Sequence, residues 1–101
     1  MAIVNSCASI GNNVVINTKS LIEHGCTVGD HANISTNTTI NGDVVVGEGT
    51  VLYSGVTVIG QRSVGNWSII GAGAVVTNNI SDRVVAVGVP AKVIKEINNA
   101  K

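Results

Sequence analysis

The stretch Ile22-Glu23-His24-Gly25-Cys26-Thr27-Val28-Gly29-Asp30-His31-Ala32-Asn33-Ile34 returns to an aliphatic side chain at every sixth place. Followed outward, the same step runs through Val4, Ile10 and Ile16 on one side. On the other it runs through Ile40, Val46, Leu52, Val58, Val64, Ile70 and Val76, without a miss. Four residues after each aliphatic lies a second column: Ala8, Val14, Ser20, Cys26, Ala32, Thr38, Val44, Thr50, Val56, Arg62, Ser68, Ala74 and Ile80. It is small or aliphatic apart from Arg62. Immediately after the aliphatic stand Gly11, Gly29, Gly47, Gly65 and Gly71, with Asn17 and Asn41 in the same column. Such residues tolerate the left-handed backbone that sharp corners need.

A fixed short period is the signature of a coiled, repeating architecture. Each hexad reads as a short strand plus a corner, and three hexads make one triangular coil. Coils then stack at the spacing of neighbouring strands, about 4.8 Å. The aliphatics fall into three internal stacks, beginning at Val4, Ile10 and Ile16. The expected fold is all-β, a parallel β-helix of about four coils over residues 1–81. A capping tail follows over 82–101, with an apolar strand, a turn at Gly88-Val89-Pro90 and a helical turn from Ala91 to Ile97. Arg62 fits the second column badly, so a bulge or a side chain reaching water is expected there.

Composition agrees. Hydrophobic residues make up 45% of the 101 positions, yet Trp67 and Tyr53 are the only aromatics and there is no Phe. A narrow prism has no room for such rings, and the dominance of Val and Ile favours strands over helices. Six basic and six acidic residues cancel, which leaves no electrostatic footprint for nucleic acid. The longest aliphatic run, Val44-Val45-Val46, is far short of a membrane span. With no leader-like opening and two cysteines without metal spacing, a reducing, cytoplasmic setting is expected. Cys7 and Cys26 read as small buried residues.

Side chains alternate along a strand, so the residues before the inward aliphatics point outward. One outward column, Val15, Asn33, Val51 and Ile69, is mostly apolar. A continuous apolar stripe marks an interface, and a three-sided rod with one such side suggests a cyclic homotrimer.

Three segments narrow the reading: Ile22 to Asp30, Ile70-Gly71-Ala72-Gly73-Ala74-Val75-Val76, and Val87-Gly88-Val89-Pro90-Ala91-Lys92-Val93-Ile94. With the hexads, they resemble the hexapeptide-repeat acyltransferases, in particular the sialic-acid O-acetyltransferase and nucleotide-sugar N-acetyltransferase family. The resemblance implies a left-handed β-helix, a hand that the usual crossover rule would not give. It also implies acetyl transfer from acetyl-CoA to an amine or hydroxyl of a sugar, without a metal, in sites between the subunits of a trimer.

In that family a histidine in the "IEH" segment is the general base, and His24 takes its place. Imidazole titrates near neutrality and suits removal of a proton from a sugar hydroxyl or amine. The family often follows its base with Glu, where this chain has Gly25. Asp43, one coil later, is expected beside Gly25 and is the candidate to orient His24, with Glu23 less direct. A further family histidine that meets acetyl-CoA corresponds here to Asn33, which donates a hydrogen bond but does not titrate. By the same resemblance, Ser54 and Ala72 align with positions along the pantetheine, and Gly42 with a glycine near the acceptor. Lys92 and Lys95 are candidates for the CoA phosphates. His31 matches no family position and reads as solvated. The family's N-terminal nucleotide-sugar-binding domain has no counterpart in this sequence.

Two rivals fail on the residues. A zinc carbonic anhydrase of this fold needs three histidine ligands, and only His24 and His31 exist. An ice-binding rod needs a Thr ladder, but Thr36, Thr38 and Thr39 become Ser54, Val56 and Thr57 one coil on. A non-catalytic trimeric scaffold that has lost acceptor binding remains the alternative.

Overall fold

The structure, a computed structural model, describes residues 1–97. The sixth-place aliphatics close thirteen strands of two residues each: β1 (Ile3–Val4), β2 (Ser9–Ile10), β3 (Val15–Ile16), β4 (Leu21–Ile22), β5 (Thr27–Val28), β6 (Asn33–Ile34), β7 (Thr39–Ile40), β8 (Val45–Val46), β9 (Val51–Leu52), β10 (Thr57–Val58), β11 (Ser63–Val64), β12 (Ile69–Ile70) and β13 (Val75–Val76). Longer strands β14 (Val84–Val87) and β15 (Lys92–Glu96) end the described chain.

Every third strand shares a sheet. The first face is β1-β4-β7-β10-β13, the second β2-β5-β8-β11, and the third β3-β6-β9-β12-β14-β15. Pairing is parallel and steps by one full coil, Val4 lying beside Ile22 and Ile22 beside Ile40. The result is a left-handed β-helix. Its interior is three aliphatic stacks: Ile22, Ile34, Ile40, Leu52, Val58, Ile70 and Val76 are all 0% exposed. Each such side chain contributes about 1.5–3 kcal/mol by leaving water. Among the described residues, no helix is long and apolar enough to cross a membrane.

The second column does more than stay small. Each of its polar members donates to a backbone carbonyl at a corner of the next coil: Ser20 Oγ to Ser35 O at 2.8 Å, Cys26 Sγ to Asn41 O at 3.0 Å, Thr38 Oγ1 to Tyr53 O at 3.3 Å and Ser68 Oγ to Ser81 O at 2.7 Å. Thr50 Oγ1 does the same to Gly65 O. Arg62 joins this ladder without a bulge, half-buried with part of its guanidinium at the surface. Its Nε donates to Thr77 O at 2.8 Å while Ser63 stays in register with Val45. A buried carbonyl left without a donor would cost about 1–3 kcal/mol.

Corner chemistry also differs from expectation. The left-handed position is three residues after the aliphatic, not one. It runs Cys7, Asn13, Lys19, Gly25, His31, Asn37, Asp43, Gly49, Gly55, Gln61, Trp67 and Gly73, with φ between 55° and 77°. The glycines directly after the aliphatics are there because coils approach closely: a Cβ on Gly47 would stand 2.6 Å from the Gly65 backbone. His31 is not merely solvated, since its Nδ1 lies 3.0 Å from Asn13 Nδ2 in the corner below. Cys7, expected inside, is exposed, whereas Cys26 is buried. Burial pushes the Cys26 thiol above its ordinary value and keeps it a donor.

The beat slips before it ends. Ile80 bridges Val64 and Val85 pairs with Ile69, each two residues earlier than a regular coil would place it. Ile80 therefore fills an inward slot that a strict period assigns to Asp82, and Asp82 Oδ1 instead accepts from Asn66 N–H at 2.7 Å. This short coil brings the stack to five levels. In place of the expected helical turn over 91–97, β15 folds back antiparallel on β14. Alternating Lys92, Val93, Lys95 and Glu96 suit an exposed edge strand better than a single helical turn. Residues 98–101 of the expected tail lie outside the described residues.

Candidate functional site

Three ridges of corners join the faces, and they decide which candidate residues meet. The first ridge, between the first and second faces, carries Glu23-His24-Gly25 with Asn41-Gly42-Asp43 one coil above and Asn5-Ser6-Cys7 one coil below. His24 is exposed and its carbonyl accepts Asp43 N–H at 3.0 Å. Asn5 Nδ2 donates to Glu23 Oε1 at 2.8 Å, so Glu23 is held toward the coil below His24.

Gly25 and Asp43 are sterically linked. A Cβ on Gly25 would collide with Asp43 Oδ1, so the Asp43 carboxylate occupies the space that a side chain at position 25 would take. Gly42 stands directly above His24, and a Cβ there would meet only the His24 carbonyl, at 3.5 Å. The surface outside Gly42 is therefore open. His24, Gly42, Asp43 and Glu23 form one neighbourhood.

The other candidates lie elsewhere on the same chain. Ser54 and Ala72 are exposed on the third ridge, between the third and first faces, one coil apart; Gly73 N–H donates to Ser54 O at 2.9 Å. The whole first face separates them from His24. Asn33 is half-buried on the third face, in register between Val15 and Val51. That face is opposite the first ridge. Lys92 and Lys95 are exposed on β15, at the C-terminal end of the third face. A single chain thus gathers His24 and Asp43 and keeps the other candidates on other sides of the prism.

A shallow groove of about 480 Å³ was not foreseen. It runs along the second face, where the small outward side chains Ser9, Thr27 and Val45 meet the second ridge at Gly29, Asp30, Gly47 and Glu48. That outward column is readable at the coil period, but apolarity drew attention to the third face instead. Among the described residues, no group of three or more His, Cys, Asp or Glu side chains converges to hold a metal.

Comparison with known proteins agrees with the fold. Residues 7–42 match the family described as bacterial transferase hexapeptide (six repeats). No curated protein sequence matches the chain. Among solved structures, perosamine N-acetyltransferase from Caulobacter crescentus, in complex with CoA and GDP-perosamine, is 28% identical with a TM-score of 0.83, over 94% of this chain and 54% of that one. A galactoside acetyltransferase in complex with coenzyme A is 30% identical with a TM-score of 0.85, over 93% of this chain and 57% of that one. The acetyltransferase domain of PglB from Neisseria gonorrhoeae, in complex with acetyl coenzyme A, is 27% identical with a TM-score of 0.82, over 92% and 48%. The chain spans about half the length of these structures. Residues 7–42 thus carry the hexapeptide repeat, and the chain as a whole is similar in fold to the β-helix of these acetyltransferases.

Proposed function

We propose that this protein transfers an acetyl group from acetyl-CoA to an amine or hydroxyl of a sugar, a sialic acid or a nucleotide-linked amino sugar. The reading is carried by one observation. An exposed histidine, roofed by a glycine and flanked by a carboxylate, stands on a ridge of coils that resemble those of CoA-binding acetyltransferases.

His24 takes the proton from the acceptor hydroxyl or amine. The freed lone pair attacks the thioester carbonyl, and backbone N–H groups of the ridge stabilise the oxyanion. The carbon–sulfur bond then breaks, and CoA leaves as a thiol with the proton returned by the imidazolium. Asp43 stands where a carboxylate at position 25 would stand, and it is the group placed to orient the imidazole during turnover. Replacing Asp43 with Ala changes the acidic limb of the pH–rate profile, where protonation removes the base; an unchanged profile removes that role.

The remaining groups come from a second copy. In a homotrimer packed through Val15, Val51 and Ile69, the first ridge of one subunit faces the third face of the next. Asn33 of the partner subunit then donates to the acetyl carbonyl. Ser54 and Ala72 line the pantetheine and Lys92 and Lys95 meet the phosphates, while Gly42, on the subunit that carries His24, leaves space for the acceptor. Acetyl-CoA supply and two free thiols suit the cytoplasm.

The alternative, a trimeric scaffold without catalysis, is favoured by one feature: among the described residues no hydrogen bond holds the His24 ring. Thiol release from acetyl-CoA with a panel of amino sugars separates the two. The proposal predicts turnover that falls by about 10²–10⁴ in His24→Ala. A scaffold releases no thiol with any acceptor, and its melting temperature is unmoved by CoA.

A further inference from the structure

Arg62 is the one charged residue in the second column, and the hydrogen-bond ladder uses only part of it. Elsewhere a single hydroxyl caps the corner carbonyl, as Ser20 and Thr38 do. Arg62 Nε caps Thr77 O in the same way, at 2.8 Å. Its Nη1 turns to the first ridge, 3.3 Å from Gly60 O and 3.4 Å from Gln61 O. A guanidinium carries five N–H groups. The two on Nη2 have no protein partner among the described residues. No buried side-chain nitrogen or oxygen among those residues lacks a partner, so Nη2 faces solvent. All three partners of Arg62 are carbonyls, and none is a carboxylate. A half-buried cation without a counter-charge is costly, and a threonine would cap Thr77 O without that cost.

Its place on the ridge gives the charge a use. Gly42 stands directly above His24, and Gly60 directly above Gly42, where a Cβ would meet Gly42 O at 3.3 Å. His24 and Gly60 are therefore two coils apart, roughly 10 Å at strand spacing. No side chain of their own column stands between them. Asp43, whose Oδ1 fills the space at Gly25, puts negative charge at the level of His24. Among the described residues Arg62 is the only lysine or arginine on this ridge. The ridge is thus polarised along the prism axis, with imidazole and carboxylate at one end and guanidinium at the other.

We propose that Arg62 determines acceptor specificity by binding the carboxylate or phosphate of an acidic sugar whose amine or hydroxyl reaches His24; this rests on the acetyl transfer proposed above. One pyranose ring spans the gap when its acidic group lies on the side away from the reacting atom. The outward N–H groups of Nη2 give charge-assisted hydrogen bonds to either anion. The phosphates of CoA lie a whole pantetheine arm from the thioester, so they do not reach Arg62 while the acetyl group is at His24.

The test pairs each acidic sugar with a neutral twin: N-acetylneuraminic acid with its methyl ester, and glucosaminyl phosphate with methyl glucosaminide. Thiol release from acetyl-CoA is compared between the parent and Arg62→Thr, whose hydroxyl suits the ladder as Thr38 does. KM for the acidic member of one pair is expected to rise about 10–100-fold. KM for its neutral twin and for acetyl-CoA stays in place, and the pair that responds tells carboxylate from phosphate. Equal rises for both twins, a rise for acetyl-CoA alone, or no rise at all overturns the proposal. If circular dichroism shows Arg62→Thr unfolded, Arg62→Gln takes its place under the same criteria. Calorimetric titration of the same sugars into His24→Ala, with and without Arg62→Thr, needs no turnover. An acidic preference lost with Arg62, in a protein that releases no thiol, supports the anion site and removes acetyl transfer. Turnover with no preference that depends on Arg62 does the reverse.

Discussion

The two ends of the column share one repeat and differ in how it stops. At the N-terminal end Ile10 is 37% exposed, while at the C-terminal end Val76 and Ala86 are both 0% exposed. The difference lies in the aperiodic chain: β14 completes a fifth level in a shortened coil, and β15 folds against it. A hexad buries its aliphatic only against a neighbour, so the interior of a solenoid depends on the segment that covers its last coil.

The largest test of that contrast is a matched truncation. Ile40→Ala, in the sealed middle, should cost about 2–5 kcal/mol in urea denaturation. Ile10→Ala should cost less than half as much, because its site is already open to water. Equal losses would mean that the first coil is covered in solution.

A smaller effect probes the hydrogen-bond ladder of the interior. Thr50→Val keeps shape but leaves Gly65 O without its donor and Ser68 N–H without Thr50 Oγ1. The expected loss is about 1–3 kcal/mol by the same denaturation. A neutral result would reduce the ladder to incidental contacts. Smallest is a gain. Gln61 holds φ at 64° on an exposed corner, so Gln61→Gly should relieve up to about 1 kcal/mol of backbone strain, read as a higher melting temperature.

Much of the architecture was legible because burial enforces a period. Thirteen aliphatics at one step all face inward when each step is one strand and one corner, and the pairing of every third strand makes the coil three-sided. What escaped was chemistry hidden behind side-chain size. Ser20, Thr38 and Thr50 looked merely small, and Arg62 looked misplaced, until their shared partner, the corner carbonyl of the next coil, was visible. Gly47 looked like a corner residue because close approach and positive φ select the same amino acid. Ile80 slipped because nothing in an aliphatic side chain records which slot it fills.

The candidate site divides along the same line. His24, Gly42 and Asp43 are one coil apart in sequence arithmetic and neighbours in space. Asn33, Ser54 and Ala72 are placed by the same arithmetic on other sides of the prism, and no period within one chain brings them to His24. Their meeting requires a second chain.

The proposed acetyl transfer stands or falls on that second chain, and mixed assemblies of two variants test it directly. His24→Ala removes the base, and Ala72→Trp blocks the acyl-donor side; each variant alone should be inactive in acetyl-CoA turnover. Refolded together in equal amounts, they should regain about a quarter of parental activity, because a site built across a seam can draw an intact His24 from one subunit and an intact Ala72 from the next. If the mixture stays as inactive as its components, the two residues do not serve one site from different chains, and the shared seam is contradicted.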